Sequence, residues 1–149
     1  MVCASSQPQE DDTVKTSLSH LQVNVHKDNL PFYRALMAFL GWESLLDEET
    51  FVGVGGANGA SLWFIGEVKA APNDYDGPGV NHIAIGAASQ ADIDATAGYL
   101  ARNGVPALFE TPRHRSDYAQ GPGQTYYQVM FESPDRVLFE VVYTGPKQD

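Results

Sequence analysis

Two histidines and one glutamate have the chemistry of a metal site. His20 and His82 each lie in a short alternating segment, SLSHLQVNV and GVNHIAIGA, and Glu140 lies between Leu138 and Val142 on an otherwise apolar face. A buried carboxylate is costly unless it is paired or bound to a cation. Two imidazoles and one carboxylate suit Zn, Mn, Fe, Ni or Co, and three protein ligands leave positions open for water or substrate. We therefore predict one divalent metal ion on His20, His82 and Glu140.

The elements that must position these residues follow from hydrophobic periodicity. From Leu18 to Val25 apolar and polar residues alternate, which predicts a strand with His20, Gln22 and Asn24 on its polar face. A helix follows, with Asp28 as its N-cap and Gly41 at its end. Three further strands are predicted, at Trp42–Leu46, Phe51–Val54 and Ser61–Ile65.

The same order then repeats. A strand at Val80–Ile85 precedes a helix that Ser89 caps and Gly104 ends, and three strand segments follow at Val105–Phe109, Tyr126–Phe131 and Val137–Tyr143. The segments SHL and NHI match at an offset of 62 residues, and SLWFI aligns with VLFEV, which brings Phe64 opposite Glu140. These matches, in order, argue for an internal duplication. Two equal modules would bring His20, His82 and Glu140 to one cleft.

Composition narrows the class of protein. The chain has 149 residues, 43% of them hydrophobic, and a net charge of -10, which fits about one compact domain and disfavours nucleic-acid and membrane partners. Cys3 is its one cysteine, and its first residues do not show the basic and then apolar pattern of a secretory signal. Both features favour a cytoplasmic location. The predicted boundaries are a flexible tail at 1–16, modules at 17–70 and 80–144, a linker at 71–79 and a C-terminal tail at 145–149.

Each candidate also has an ordinary structural explanation. A single strand histidine beside apolar neighbours is more often a partly buried core residue than a ligand, and a glutamate on a terminal strand is usually paired or exposed. The segment PRHRSDY, which holds Arg113 and His114, is the dense basic patch of an acidic chain. It is either a solvated loop or a loop that binds an anionic group of a substrate through Arg113.

The strand–helix–strand–strand–strand order, with LSHLQVNV, VNHIAIGA and YYQVMFESPDRVLFEVVY, resembles the vicinal oxygen chelate superfamily, the glyoxalase, bleomycin resistance and dioxygenase group. The resemblance covers about residues 18–143 and implies an α+β fold in which two βαβββ modules form a U-shaped mixed sheet around a cleft, often in a dimer. It also places His20, His82 and Glu140 at the metal positions. The fourth position, a glutamate in glyoxalase I, falls on Phe64, or on Trp63 with a register shift of one, which argues against that enzyme.

Three functions remain open, and the one ranked last is an interaction module in which the ligand triad is a relic. The first is a metal-dependent enzyme of the lyase, thiol transferase or dioxygenase type, acting on a small oxygen-bearing substrate and forming a homodimer. The second is a metal-free protein that sequesters a drug, as bleomycin-resistance members do, by stacking aromatic residues on a cationic ligand. The candidate substrate or drug contacts are polar and aromatic residues, namely Gln22, Trp63, Phe64, Arg113, Tyr118, Tyr126 and Tyr127.

Overall fold

The computed structural model describes residues 14–149, so most of the tail predicted at 1–16 lies outside the described residues. Two halves follow one another with the same order of elements. The first half consists of β1 (His20–Asn24), α1 (Leu30–Phe39), β2 (Glu43–Asp47), β3 (Phe51–Gly55) and β4 (Ser61–Ile65). The second consists of β5 (Ile83–Gly86), α2 (Gln90–Arg102), β6 (Leu108–His114), β7 (Gln124–Glu132) and β8 (Leu138–Pro146). The predicted α+β fold of two βαβββ modules is confirmed.

Each module forms its own four-stranded mixed sheet. The strand orders are β1-β4-β3-β2 and β5-β8-β7-β6, so the first strand of each module is an edge strand next to the last. That contact is parallel in both sheets, and the remaining contacts are antiparallel. The first and last strands of a module are therefore neighbours, which is the arrangement that brings their side chains together on one sheet face.

The two helices begin differently. Ser89 caps α2 as predicted, because its hydroxyl accepts a hydrogen bond of 3.1 Å from the backbone N–H of Asp92. The predicted cap of α1 is wrong: Asp28 lies within a short 3₁₀ turn, and Asn29 is the N-cap. His26 is the N-cap of that 3₁₀ turn, because its ring accepts a hydrogen bond from the N–H of Asp28, and α1 begins after the turn, at Leu30.

One core joins the two modules. The ring of Tyr33, on α1, stacks on Phe64 of the first sheet at 4.5 Å and lies 6.4 Å from Phe139 of the second. Its hydroxyl also donates to the side chain of Asp135 (2.6 Å) and lies 2.8 Å from Ser133 Oγ, both in the turn between β7 and β8. Burial and the contact with Asp135 raise the pKa of Tyr33, so the hydroxyl keeps its proton and these bonds at ordinary pH.

The strand β6 departs from the prediction. The sequence predicts a strand at Val105–Phe109 followed by a loop, but β6 runs from Leu108 to His114 and its pairing with β7 is irregular between Leu108 and Arg113. Phe109 and Glu110 take φ values of 56° and 59°, a left-handed conformation unusual for such residues. The irregularity lets the chain return to the sheet, so Arg113 is a strand residue and not a loop residue. No helix within residues 14–149 is long and apolar enough to cross a membrane.

Candidate metal and substrate site

The second sheet brings two of the predicted ligands into contact. Glu140 is on β8, beside Ala84 of β5 and Met130 of β7, and only 3% of it is exposed. His82 immediately precedes β5, and its Nε2 atom lies 3.0 Å from Glu140 Oε2. A parallel pair of first and last strands therefore places an imidazole and a buried carboxylate side by side, as the duplicated pattern predicts for this module.

Glu140 has a second partner that sequence reasoning did not assign to it. The hydroxyl of Tyr126, on β7, donates a hydrogen bond of 2.6 Å to Glu140 Oε1. Burial, and then this bond, raise the pKa of Tyr126, because its ionised form would be desolvated and would face a carboxylate. The carboxylate thus has one oxygen directed at Tyr126 and the other at His82, which offsets the cost of its burial.

The proton of His82 is fixed by the residue before it. The side-chain Nδ2 of Asn81 donates to the backbone carbonyl of Tyr75 at 2.8 Å, so its Oδ1 is the atom that lies 2.8 Å from His82 Nδ1. An oxygen there requires Nδ1 to carry the hydrogen. A neutral His82 then directs the lone pair of Nε2 at Glu140, an arrangement that calls for a cation between them or a proton on Nε2. This is the tautomer of a metal ligand held by an outer hydrogen bond.

The separation of the two ligand atoms also fits a metal ion. Adjacent ligands at about 2.1 Å from an ion lie about 3 Å apart in octahedral geometry and about 3.4 Å apart in tetrahedral geometry, and His82 Nε2 and Glu140 Oε2 are 3.0 Å apart. The donor set of one imidazole and one carboxylate is thus compatible with a divalent transition metal or zinc. Within residues 14–149, however, no group of three or more His, Cys, Asp or Glu side chains is placed to hold a metal. His82 and Glu140 are thus two of the three predicted ligands, and we call this pair the half-site.

His20 does not join that pair in the single chain. It lies on the exposed face of β1, with its Nδ1 atom 3.3 Å from Ser19 Oγ, so the residue before each histidine contacts the same ring atom in both modules. Gln22 and Asn24 lie on that face too, and the amide of Gln22 donates to the Asn24 side chain at 2.9 Å. The polar face of β1 is a continuous row that begins with His20.

The position equivalent to Glu140 in the first module is Trp63. Strand pairing aligns Leu21 with Leu62 and Ile83 with Phe139, so the residues that follow Leu62 and Phe139 correspond. The alignment of Phe64 with Glu140 is wrong by one residue, which in a strand reverses the face. Phe64 is fully buried against Tyr33 and is no substrate contact. Trp63 is half-buried on the same face as Gln22.

The predicted substrate contacts of the second module divide between two faces. Tyr118 lies edge-on to Tyr126, with ring centroids 5.4 Å apart, on the face that carries Glu140. Tyr127 lies on the opposite side of the sheet from Tyr126, because neighbouring strand residues point to opposite sides. Its hydroxyl donates to Asp94 of α2 at 2.6 Å, and its ring stacks on His114. Arg113 is on the face of Glu140, since its strand partner is Gln128.

A cleft runs between the two edge strands. It has a volume of about 240 Å³ and is lined by residues of β1, including Gln22 and Asn24, and by the segment 80–83, including Asn81 and His82. His82 is 36% exposed, so the imidazole is reachable from solvent while its carboxylate partner is not. The cleft places the polar row of β1 beside the His82 end of the half-site, with an opening for a small molecule.

Known proteins match this chain in structure. No family model and no curated protein matches its sequence. A candidate glyoxalase from Bacillus halodurans is 26% identical, with a TM-score of 0.68 over 85% of this chain and 94% of that one. A glyoxalase/dioxygenase from Nostoc punctiforme is 16% identical, with a TM-score of 0.68 over 95% and 99%. A glyoxalase/bleomycin resistance protein from Albidiferax ferrireducens is 20% identical, with a TM-score of 0.65 over 85% and 98%.

Two modules of this topology, with the last strand of each beside the first, define a class of protein fold. The chain has the vicinal oxygen chelate fold, and its structural neighbours are glyoxalase, bleomycin resistance protein and dioxygenase family members, as its sequence predicts.

Proposed function

We propose that this protein is a divalent-metal-dependent enzyme that acts on a small oxygen-bearing substrate, by lyase, thiol transferase or dioxygenase chemistry. The observation that carries the proposal is the pair of His82 and Glu140: a buried carboxylate 3.0 Å from an imidazole whose Nδ1 must hold the hydrogen. Histidine in this tautomer, supported by an outer hydrogen bond, is the form in which proteins use it as a ligand.

A second copy of the chain supplies the third ligand in this proposal. His20 lies on an open sheet face that also carries half-buried Trp63. Strand β2, at the opposite edge of the same sheet, is exposed along its whole length, with Leu45 and Leu46 being 49% and 44% exposed. Exposed apolar residues at a sheet edge favour an interface. A twofold dimer would bring His20 of one copy to His82 and Glu140 of the other, and would form two equal sites.

The bound ion would be Zn, Mn, Fe, Ni or Co, since two imidazoles and a carboxylate suit each of these metals and leave positions open. The ion would supply Lewis acidity toward substrate oxygens or a bound water. The chain's own residues have separate tasks. Asn81 holds the hydrogen on His82 Nδ1, and Tyr126 orients the carboxylate of Glu140. Trp63, in place of a fourth carboxylate, leaves the site with three ligands.

Metal analysis with mixed dimers tests the proposal. Wild type should hold about one metal ion per chain, and His82→Ala and His20→Ala should each lose it, while His26→Ala, which removes an exposed histidine away from the pair, should keep it. A dimer of one His20→Ala chain and one His82→Ala chain retains a single intact set of ligands, one histidine from each copy. It should therefore recover half of the wild-type metal.

Two results would contradict the proposal. Stoichiometric metal that survives His82→Ala would remove that residue from the site, and mixed dimers without metal would exclude ligands from two copies. The second candidate function, metal-free sequestration of a drug, is favoured by Trp63 and Tyr118, which offer aromatic surface in an acidic chain. A melting temperature that a chelator does not change, but that a cationic aromatic drug raises, would support that alternative.

A further inference from the structure

One basic side chain on the face of Glu140 is left without a good partner. Arg113 Nη1 lies 3.5 Å from Glu110 Oε2, whose side chain is 90% exposed. Charge-assisted pairs are usually 2.7–2.9 Å long, so this contact is loose. Among the side chains of residues 14–149, Arg113 Nε is the one buried polar atom without a hydrogen-bond partner. Such atoms are rare in folded proteins and call for an explanation.

The neighbouring arginine shows the contrast. Arg115 is held by Asp117 through two hydrogen bonds of 3.0 and 2.7 Å and lies over the ring of Tyr118 at 4.3 Å. Its charge is neutralised within the same segment. Arg113, two residues earlier, has a buried stem that fixes its position, and its side chain is 38% exposed, so its outer nitrogens remain accessible. In a chain with a net charge of -10, an accessible and weakly paired guanidinium is unusual.

The position of Arg113 relative to the half-site follows from strand pairing. Arg113 pairs with Gln128, and Gln128 pairs with Val142, two residues after Glu140 on the same face. Arg113 is thus two strands and two residues away from Glu140, about 10 Å across the strands and about 7 Å along them, so that the two Cα atoms are roughly 12 Å apart. Tyr126, also on this face, lies two residues from Gln128 along β7 and reaches Glu140.

We infer that Arg113 binds an oxyanion group, a carboxylate or phosphate, of the substrate, and that the substrate is an anion whose charged end lies on the order of 10 Å from the reacting oxygens held near His82 and Glu140. The inference rests on the proposed function for the position of those oxygens. Arginine pairs two oxygens of one oxyanion at once, which fits an end group better than the single contact to Glu110. Arg113 is a specificity residue in this assignment.

Matched ligands measure the effect. Dihydrocaffeate and ethylcatechol have the same pair of adjacent hydroxyl groups, but only the first has a carboxylate. Calorimetry on zinc-loaded, anaerobic wild type should give dihydrocaffeate an affinity about 10- to 100-fold higher, as expected for a charge-assisted bidentate pair. In Arg113→Gln this preference should fall below about threefold, whereas Arg115→Gln should keep most of it, since Asp117 already neutralises Arg115. Unchanged metal content and melting temperature show that the variants are folded.

A third ligand separates this inference from the proposed function. Phenylpropanoate has the ring and the carboxylate but lacks the adjacent hydroxyl groups, so its binding does not require metal. On chelator-treated wild type it should shift the NMR signal of Arg113 Nε–H, and Arg113→Gln should abolish its binding; phenethyl phosphate in its place tells whether phosphate is preferred. A protein that binds phenylpropanoate through Arg113 but takes up no metal would refute only the proposed function.

The opposite result refutes only the inference. Zinc-loaded wild type that holds dihydrocaffeate and ethylcatechol equally, or Arg113→Gln that keeps the wild-type preference, would show that Arg113 does not contact the charged group. Failure of phenylpropanoate to perturb the Arg113 signal at ligand concentrations that saturate dihydrocaffeate binding would contradict it as well.

Discussion

The hydroxyl of Tyr126 offers the sharpest test of how the half-site is held. It donates a hydrogen bond of 2.6 Å to Glu140, a carboxylate that is only 3% exposed. Tyr126→Phe removes the donor and keeps the ring, including its edge contact with Tyr118. Glu140 then has His82 as its remaining partner, so one of its oxygens is left buried and unpaired. We expect both the stability of the metal-free protein and its metal affinity to fall.

The expected magnitudes follow from the kind of bond that is lost. A hydrogen bond to a charged group contributes about 1.5–3 kcal/mol to the free energy of unfolding. In a domain of this size about 1 kcal/mol changes the melting temperature by about 3 °C, so chelator-treated Tyr126→Phe should melt about 4–9 °C below wild type. Removal of a hydrogen bond that orients a metal ligand weakens metal binding by about 10- to 100-fold. At saturating metal, this loss lowers the free energy of unfolding of the metal-bound protein by roughly a further 1.4–2.8 kcal/mol.

The assay is thermal unfolding with and without zinc, together with competition against a chromophoric chelator. Tyr118→Phe is the matched control, since it removes a hydroxyl from the same aromatic pair and leaves the bond between Tyr126 and Glu140 in place. The reasoning fails if Tyr126→Phe has the melting temperature and zinc affinity of wild type, because Glu140 would then not depend on Tyr126. Loss of stability with unchanged zinc affinity would assign Tyr126 to the fold alone.

Two further predictions concern the faces of the sheets. A Cβ atom at Gly53 would clash with the ring of Trp63, so Gly53→Ala should displace the indole, change its fluorescence and destabilise the first module. An unchanged emission spectrum would mean that Trp63 does not lie over Gly53. Burial and the bond to Asp94 raise the pKa of Tyr127 from 10.0 to about 12. The contribution of the protonated Tyr127 hydroxyl to stability is therefore complete below pH 10 and is lost as the pH rises toward 12. The free energy of unfolding of Tyr127→Phe, measured by chemical denaturation, should depend less on pH in that range than that of wild type.

Local patterns in the sequence were sufficient to predict the order of elements. Alternation of period two and the helical spacing of apolar residues are set within a few residues, and Ser89 caps α2 as expected. The contact of His82 with Glu140 follows from the duplication, because the first and last strands of a βαβββ module are neighbours. The fold and the pair of His82 and Glu140 could thus be derived from the sequence.

Predictions that depend on the exact strand register were less secure. An error of one residue in aligning the modules exchanged Trp63 for Phe64, and neighbouring Tyr126 and Tyr127 both looked suitable although only one can face Glu140. Arg113 was predicted in a loop because the left-handed residues Phe109 and Glu110, which return the chain to the sheet, have no signature in the sequence. The face of the sheet to which a side chain points reverses when the strand register shifts by one residue. The register is set by contacts between residues far apart in the sequence, so local patterns do not determine it.

A difference between the two modules at one pair of equivalent positions explains why the proposed site is asymmetric. On adjacent strands, Glu140 faces Met130 in the second module, and Trp63 faces Gly53 in the first. The indole of Trp63 covers Gly53 so closely that no larger residue fits at that position. The second module thus has a carboxylate beside a side chain of medium size, whereas the first has a large ring over a residue without a side chain. In the proposed dimer, a carboxylate in place of Trp63 would repel Glu140 unless a cation neutralised both. With an indole at this position, the proposed site needs a single ion with three ligands, and the fourth direction is an apolar wall against which the substrate can bind.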